Sequence, residues 1–217
     1  MAITARPTLV AGGLKNAIEF SKDKKGLEVN DSIYVAWTGE TLRFMGRGRY
    51  SGCVYDLAAS SHDSEEPWDV IVSLDTAAEA EEAIRKSPGA GRKDTVVDLV
   101  KLSDGRIFIG SGETPFYILE NAPGHEELRS TDEYEGFYEK LERISEWPAD
   151  PIPPAAPIVF TRDVIAKLGK LKTDMAPKDD IGRYELHFLG GATWIYRYQG
   201  HTAAAAVMLE SCRDNLD

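Results

Sequence analysis

The chain has 217 residues, 42% apolar and 28% charged, with a formal net charge of −11, which excludes a wholly disordered chain and one that is basic throughout. No apolar run approaches the ~20 residues of a membrane-spanning helix, and the opening stretch lacks the long apolar core and cleavage site of a secretory leader. Two cysteines far apart, Cys53 and Cys212, are no disulfide framework, so the expectation is a globular protein of a reducing compartment, the cytoplasm, without membrane association.

Three segments share one order of events: a short strand, a helix, then three strands. In the first, Pro7–Val10 reads as a strand and Gly13–Lys25 as a helix with Leu14, Ala17, Ile18 and Ser21 on one face. Strands follow at Ser32–Trp37, Thr41–Met45 and Tyr50–Leu57, with Thr38-Gly39-Glu40 as a hairpin turn. In the second, Trp68–Leu74 is a strand and Asp75 or Thr76 caps a helix Ala77–Lys86, which Ser87-Pro88-Gly89 stops. Thr95–Leu102, Arg106–Gly110 and Thr114–Leu119 are its three strands, the first two joined by an Asp104-Gly105 turn.

Residues 120–150 break the pattern. They are strongly acidic and predict one amphipathic helix, Ser130–Trp147, with Tyr134, Phe137, Tyr138, Leu141 and Ile144 on its apolar face. Five prolines between Pro148 and Pro157 then exclude a helix or a central strand and read as an extended connector. The third segment predicts a strand at Pro157–Phe160, Thr161 as the cap of a helix carrying Val164, Ile165, Leu168 and Leu171, and strands at Gly182–Leu189, Thr193–Tyr198 and Thr202–Leu209.

The positive charge is unevenly placed. Lys15, Lys22, Lys24 and Lys25 mark the first helix, Arg85, Lys86, Arg92 and Lys93 the second, and Arg162, Lys167, Lys170 and Lys172 the third. Each stretch is net positive in an acidic chain. Basic residues at helix C-termini oppose the macrodipole, which by itself explains any one helix. Three equivalent basic helices brought to one surface would form a track for a phosphate backbone that positions the protein without reading bases.

Chemistry-bearing patterns are sparse. His62, His125, His187 and His201 show no metal-ligand spacing, and the cysteines form no pair of the zinc-binding kind. The acidic run His62-Asp63-Ser64-Glu65-Glu66 lacks calcium-loop spacing and reads as a solvated loop. Gly89-Ala90-Gly91-Arg92-Lys93 follows a helix, so its amides do not sit at a helix N-terminus as a phosphate loop requires. No metal, cofactor or catalytic group is expected.

The order of elements resembles that of DNA sliding clamps, rings whose domains each contain two βαβββ units. The segment that opens VIVSLDTAAEAEEAIRKSPG and closes GETPFYILEN is similar in layout to the second unit of a clamp domain. The segment FTRDVIAKLGKLKTD, continued by GRYELHFLGGATWIYRYQGHTAAAAVML, resembles the terminal unit. The resemblance implies an α+β fold of repeated βαβββ units, antiparallel sheets outside and helices on one face. It divides the chain into a two-unit domain at 1–119, an acidic helix and connector at 120–156, and a C-terminal unit at 157–217. It also implies a processivity factor of the two-domain phage type that encircles duplex DNA as a homotrimer, is placed by a clamp loader and tethers a DNA polymerase.

On that reading Lys15, Lys22, Lys24, Lys25, Arg85, Lys86, Arg162, Lys167 and Lys170 face DNA, and Leu119, Val207 and Met208 belong to a pocket for polymerase peptides. A clamp-derived interaction module that does not enclose DNA is the alternative, since the unit expected within 120–156 is reduced to its helix. An enzyme with a site assembled from scattered residues is a third reading.

Overall fold

The structure is a computed structural model that describes residues 2–22, 31–48, 51–63, 66–129, 159–172, 185–188, 193–199 and 202–210. The expected helix Ser130–Trp147, the proline-rich connector and the Gly190-Gly191 turn lie outside the described residues.

The first unit begins with β1 (Ala2–Ala5) and α1 (Pro7–Ser21), so the strand expected at Pro7–Val10 is helical and the strand lies just upstream. Proline decides the point. Its fixed φ suits the first turn of a helix, where its missing N–H has no intrahelical partner to lose. Arg6, in extended conformation, accepts at its carbonyl from the amides of Leu9 and Val10 at 3.0 and 3.1 Å. α1 closes at Lys22, whose extended backbone still donates to Ile18 O at 3.0 Å. Then come β2 (Ser32–Trp37), β3 (Thr41–Arg47) and β4 (Ser51–Ala58). Gly39, at φ 97°, makes the β2–β3 turn, where a side chain would be strained.

After the short β5 (Ser61–His62), the second unit runs β6 (Trp68–Ser73), α2 (Leu74–Arg85), β7 (Val97–Lys101), β8 (Ile107–Ser111) and β9 (Thr114–Leu119). Its helix starts three residues earlier than expected, because Ser73 is the cap and accepts from the Thr76 amide at 3.1 Å. A short helix that the sequence did not suggest, α3 (His125–Arg129), follows. In the C-terminal unit Thr161 caps α4 (Arg162–Leu168), accepting from the Val164 amide at 3.3 Å. The strand expected at Pro157–Phe160 is absent from the described part, Val159–Phe160. β10 (Glu185–Phe188), β11 (Thr193–Gln199) and β12 (Ala203–Glu210) complete the chain.

The two N-terminal units exchange their first strands. β1 leaves its own unit to pair antiparallel with β7, from Ala2↔Val100 to Ala5↔Val97, while β6 pairs with β2, from Ser32↔Ser73 to Trp37↔Trp68. Two antiparallel sheets result, one ordered β5-β1-β7-β8-β9 and the other β10-β11-β12-β4-β3-β2-β6. The exchange makes neither unit complete alone. The second sheet also crosses the expected boundary, since β12 continues it along β4, with Val207 opposite Cys53.

The facing sides of both sheets and the apolar sides of α1 and α2 share one core. Ile3, Leu99 and Ile109 enter it from the first sheet, Val35, Phe44, Tyr55 and Val207 from the second, Leu14 and Phe20 from α1, and Ala80 and Ile84 from α2. Each Val, Leu, Ile or Phe side chain among them contributes roughly 1.5–3 kcal/mol through its burial. Cys53 lies within this core, and burial pushes its thiol far above the ordinary range, so it is inert packing. On the other side of the second sheet, Arg43 and Asp56 face each other across β3 and β4 in a bidentate, half-buried pair at 2.7 and 2.9 Å.

The connector after β9 turns back along β6. Ala122 donates to Ile71 O at 2.8 Å, the Ile71 amide donates to Asn121 Oδ1 at 3.0 Å, and Arg129 pairs with Asp69. The outer edge of β6 is thereby covered by the chain itself.

Candidate nucleic-acid interface

α1 is buried on most of its circumference, and its exposed residues are Thr8, Lys15 and, at its end, Lys22. They stand seven apart, which is two turns, so they form one line along the helix. Gly12 and Glu19, half-exposed, lie beside it. On the opposite side the helix presses onto β3 through small residues. A Cβ on Gly13 would lie 2.4 Å from the Phe44 ring, and one on Gly46 only 2.0 Å from Ala17 O. The side of α1 that carries the two lysines is therefore the side turned away from the sheet.

α4 packs beside α1. Val164 is buried, and Phe160, Leu168 and Leu171 pack partly buried against the core. Lys170 donates to Glu19 Oε1 at 2.6 Å, a bond that holds its ammonium above its ordinary pKa. This places Lys170 next to the Lys15–Lys22 line. Arg162 and Lys172 are exposed as well. Lys167 differs from its neighbours: only 7% exposed, it turns inward and donates to Lys22 O at 3.0 Å, with Asp163 at 3.8 Å.

The outward face of α2 is mixed. Asp75, Glu79 and Glu82 are exposed beside Arg85 and Lys86. Arg85 pairs with Glu81 at 3.3 Å, and Lys86 pairs with Glu82, whose carboxyl is held below its ordinary value by that hydrogen bond and charge. Glu79 accepts from the Tyr117 hydroxyl at 2.7 Å. Burial, then the bond and charge of Glu79, raise the Tyr117 phenol to about 12. The basic character of α2 is thus confined to its last turn and matched by its own acids.

Of the residues expected at this surface, Lys15, Lys22 and Lys170 are brought together, and Arg162 is exposed at the start of α4, whose C-terminal exit carries Lys170. Arg85 and Lys86 sit on the neighbouring helix, and Lys24 and Lys25 lie outside the described residues. Leu119 and Val207, expected in a pocket for polymerase peptides, both have their side chains in the core. Leu119 on β9 and Val207 on β12 belong to different sheets, and both are fully buried in the core. The Met208 side chain lies outside the described part. Lys172 was counted in the third basic stretch but left out of the DNA-facing set, and the buried Asn16 was passed over. The second had a signal: an amide within the apolar side of a helix requires partners. Among the described residues no group of His, Cys, Asp and Glu is placed to hold a metal ion, and no helix is long and apolar enough to cross a membrane.

No protein-family model and no curated protein matches the chain. Solved structures do. The DNA polymerase sliding clamp of Caulobacter crescentus is 15% identical at a TM-score of 0.61, over 97% of this chain and 65% of that one. The DNA polymerase III beta subunit of Thermotoga maritima is 10% identical at 0.61, over 97% and 64%. The sliding clamp of Bacillus subtilis is 11% identical at 0.58, over 96% and 64%. The chain therefore spans about two thirds of the length of these clamps, and the likeness establishes the α+β fold of a DNA polymerase sliding clamp.

Proposed function

We propose that this chain is a processivity factor that encircles duplex DNA as a closed homotrimer, is placed there by a clamp loader, and tethers a DNA polymerase without chemistry of its own. The observation that carries the reading is the exposed line of Lys15 and Lys22 along α1, joined by Lys170 just after α4, on the side of the helix turned away from the sheet. Ammonium groups so arranged meet phosphates at many positions and read no base edge, which suits a protein that slides. The homo-oligomer has its own support. Within the chain, β12 joins the edge of β4; among the described residues the corresponding last strand of the second unit, β9, has a neighbour on one side only, β8. A second copy completes that edge by the same kind of pairing.

The outward face of α2, whose basic residues are matched by its own acids, favours a second reading, a clamp-derived interaction module that binds a protein partner and does not enclose DNA. Fluorescence anisotropy of labelled duplexes separates the two. The processivity reading expects equal affinity for unrelated sequences at low salt and a log–log salt slope of about −3 or steeper, from ~0.9 per neutralised phosphate. No binding at low salt, or a marked preference for one sequence, contradicts it.

A further inference from the structure

Asn16 lies mid-way along α1 and is 1% exposed. Its side-chain amide makes a closed pair with one backbone position of the α4 segment: Nδ2 donates to Lys172 O at 2.9 Å, and the Lys172 amide donates to Oδ1 at 2.6 Å. This is the two-bond exchange of an antiparallel strand pair, made by a side chain. It fixes both the distance and the register of the chain after α4, since no other residue of α1 offers a donor and an acceptor there. Gly12 lies one turn before Asn16, and a Cβ on it would already sit 3.6 Å from the Lys172 Cβ.

One and a half turns further along α1, Lys167 reaches back from α4. Its ammonium meets Lys22 O, a carbonyl at the helix C-terminus, where the aligned peptide dipoles favour a cation. Gly48 makes room for it. A Cβ there would stand 3.4 Å from the Lys167 amine and 2.7 Å from Phe20 O. Lys170 pairs with Glu19 between these two points. Three contacts thus run in order along α1, from Asn16 through Glu19 to Lys22, all to a stretch of six residues in α4 and its exit. The first and last of these contacts are shielded and use backbone groups.

We propose that Asn16 and Lys167 are positioning residues that latch α4 to α1 in one register, so that Lys170 and Lys172 present their charge beside Lys15 and Lys22, and Arg162, on the same helix as Lys167, is held with them. This rests on the reading of that surface as a phosphate-binding track and assigns Lys167 to holding the track together. The side chains of Asn16 and Lys167 do not themselves reach the ligand. Removing the Asn16 amide therefore lowers the charge presented to DNA without removing any charge.

Two measurements on the full-length chain test this. The first is hydrogen exchange of the Lys172 amide in the wild type and in Asn16→Leu, which keeps the volume and loses both bonds. The second is the salt slope of duplex binding for Asn16→Leu, Lys167→Met and the double charge variant R162Q/K170Q. The latch expects Lys172 exchange to accelerate at least tenfold in Asn16→Leu. It also expects the salt slope to become shallower by about 2, the value for two lost phosphate contacts, although no charge was removed. Unchanged exchange at Lys172 overturns the latch. Faster exchange with a wild-type slope, where R162Q/K170Q does flatten the slope, overturns the positioning role, because a purely structural contact lowers stability alone. Where R162Q/K170Q and the wild type share one slope, the phosphate track itself fails, and the exchange measurement still decides whether the latch exists. Lys167→Met keeps the aliphatic stem in place and covers the case in which Asn16→Leu does not fold.

Discussion

Gly46→Ala is expected to destabilise the protein by about 3 kcal/mol or more, the upper range of overpacking effects. The added methyl would stand 2.0 Å from the carbonyl oxygen of Ala17, 2.6 Å from its carbon and 2.8 Å from its Cα. All three are backbone atoms, so no rotamer change relieves the contact. Either α1 lifts from β3 or β3 bends out of register with β4, and either movement opens the core around Phe20 and Phe44. In a chain of this size such a loss lowers Tm by roughly 10 °C. Gly91→Ala is the control: nothing lies within 4 Å of its Cβ position, and its effect should stay within about 0.5 kcal/mol. Thermal melts of both variants check the contrast. Equal melting temperatures would mean that α1 does not sit on β3 as closely as described.

Replacing Lys15, Lys22, Arg162 and Lys170 together by glutamine is expected to weaken duplex binding on the order of a hundredfold at low salt and to make the salt slope shallower by about 3 to 4, one increment of ~0.9 per lost phosphate contact. Stability should change little. All four side chains are exposed, and the pairing of Lys170 with Glu19 is a surface ion pair that solvent screens and that contributes little to stability. Arg85 and Lys86 form the internal comparison. Their charge is already met by Glu81 and Glu82 on the same helix, so their neutralisation should change binding less than that of Lys15 and Lys22. A larger effect from the α2 pair than from the α1 pair would contradict the placement of the track. Anisotropy titrations over a range of salt give both quantities.

Local features were legible where a single residue type settles the backbone. Thr161 caps α4 as its position before Val164, Leu168 and Leu171 suggested, and Gly105, at φ 86°, makes the turn after Asp104. The order of strand, helix and three strands could be read from periodicity, and the clamp-like fold from the resemblance which that order carries. The strand exchange could not, because β1 and β6 carry no mark of which sheet they enter; that is decided by which core their apolar faces complete. Pro7–Val10 misled because an apolar stretch of four residues suits either state, and only the proline at the helix start distinguishes them.

The candidate surface was legible in part for a related reason. The spacing of seven between Lys15 and Lys22 put them on one line of α1, whereas the inward turn of Lys167 depends on Gly48 and on the carbonyl of Lys22, residues distant in sequence. Leu119 and Val207 were assigned to a pocket by resemblance alone, and their alternating strand positions place them on the core side instead. The paired acids of α2 were visible as i, i+4 partners, and they show that net charge over a stretch is a poor guide to the charge a face presents.

The most direct test of the central claim is the mass of the purified protein in solution, by light scattering over a wide range of concentration. The account predicts a particle of about 72 kDa, three chains of 23.9 kDa closed by cyclic symmetry, with no further growth as concentration rises. A mass of 23.9 kDa at every concentration would contradict it, leaving a clamp fold that does not close on itself.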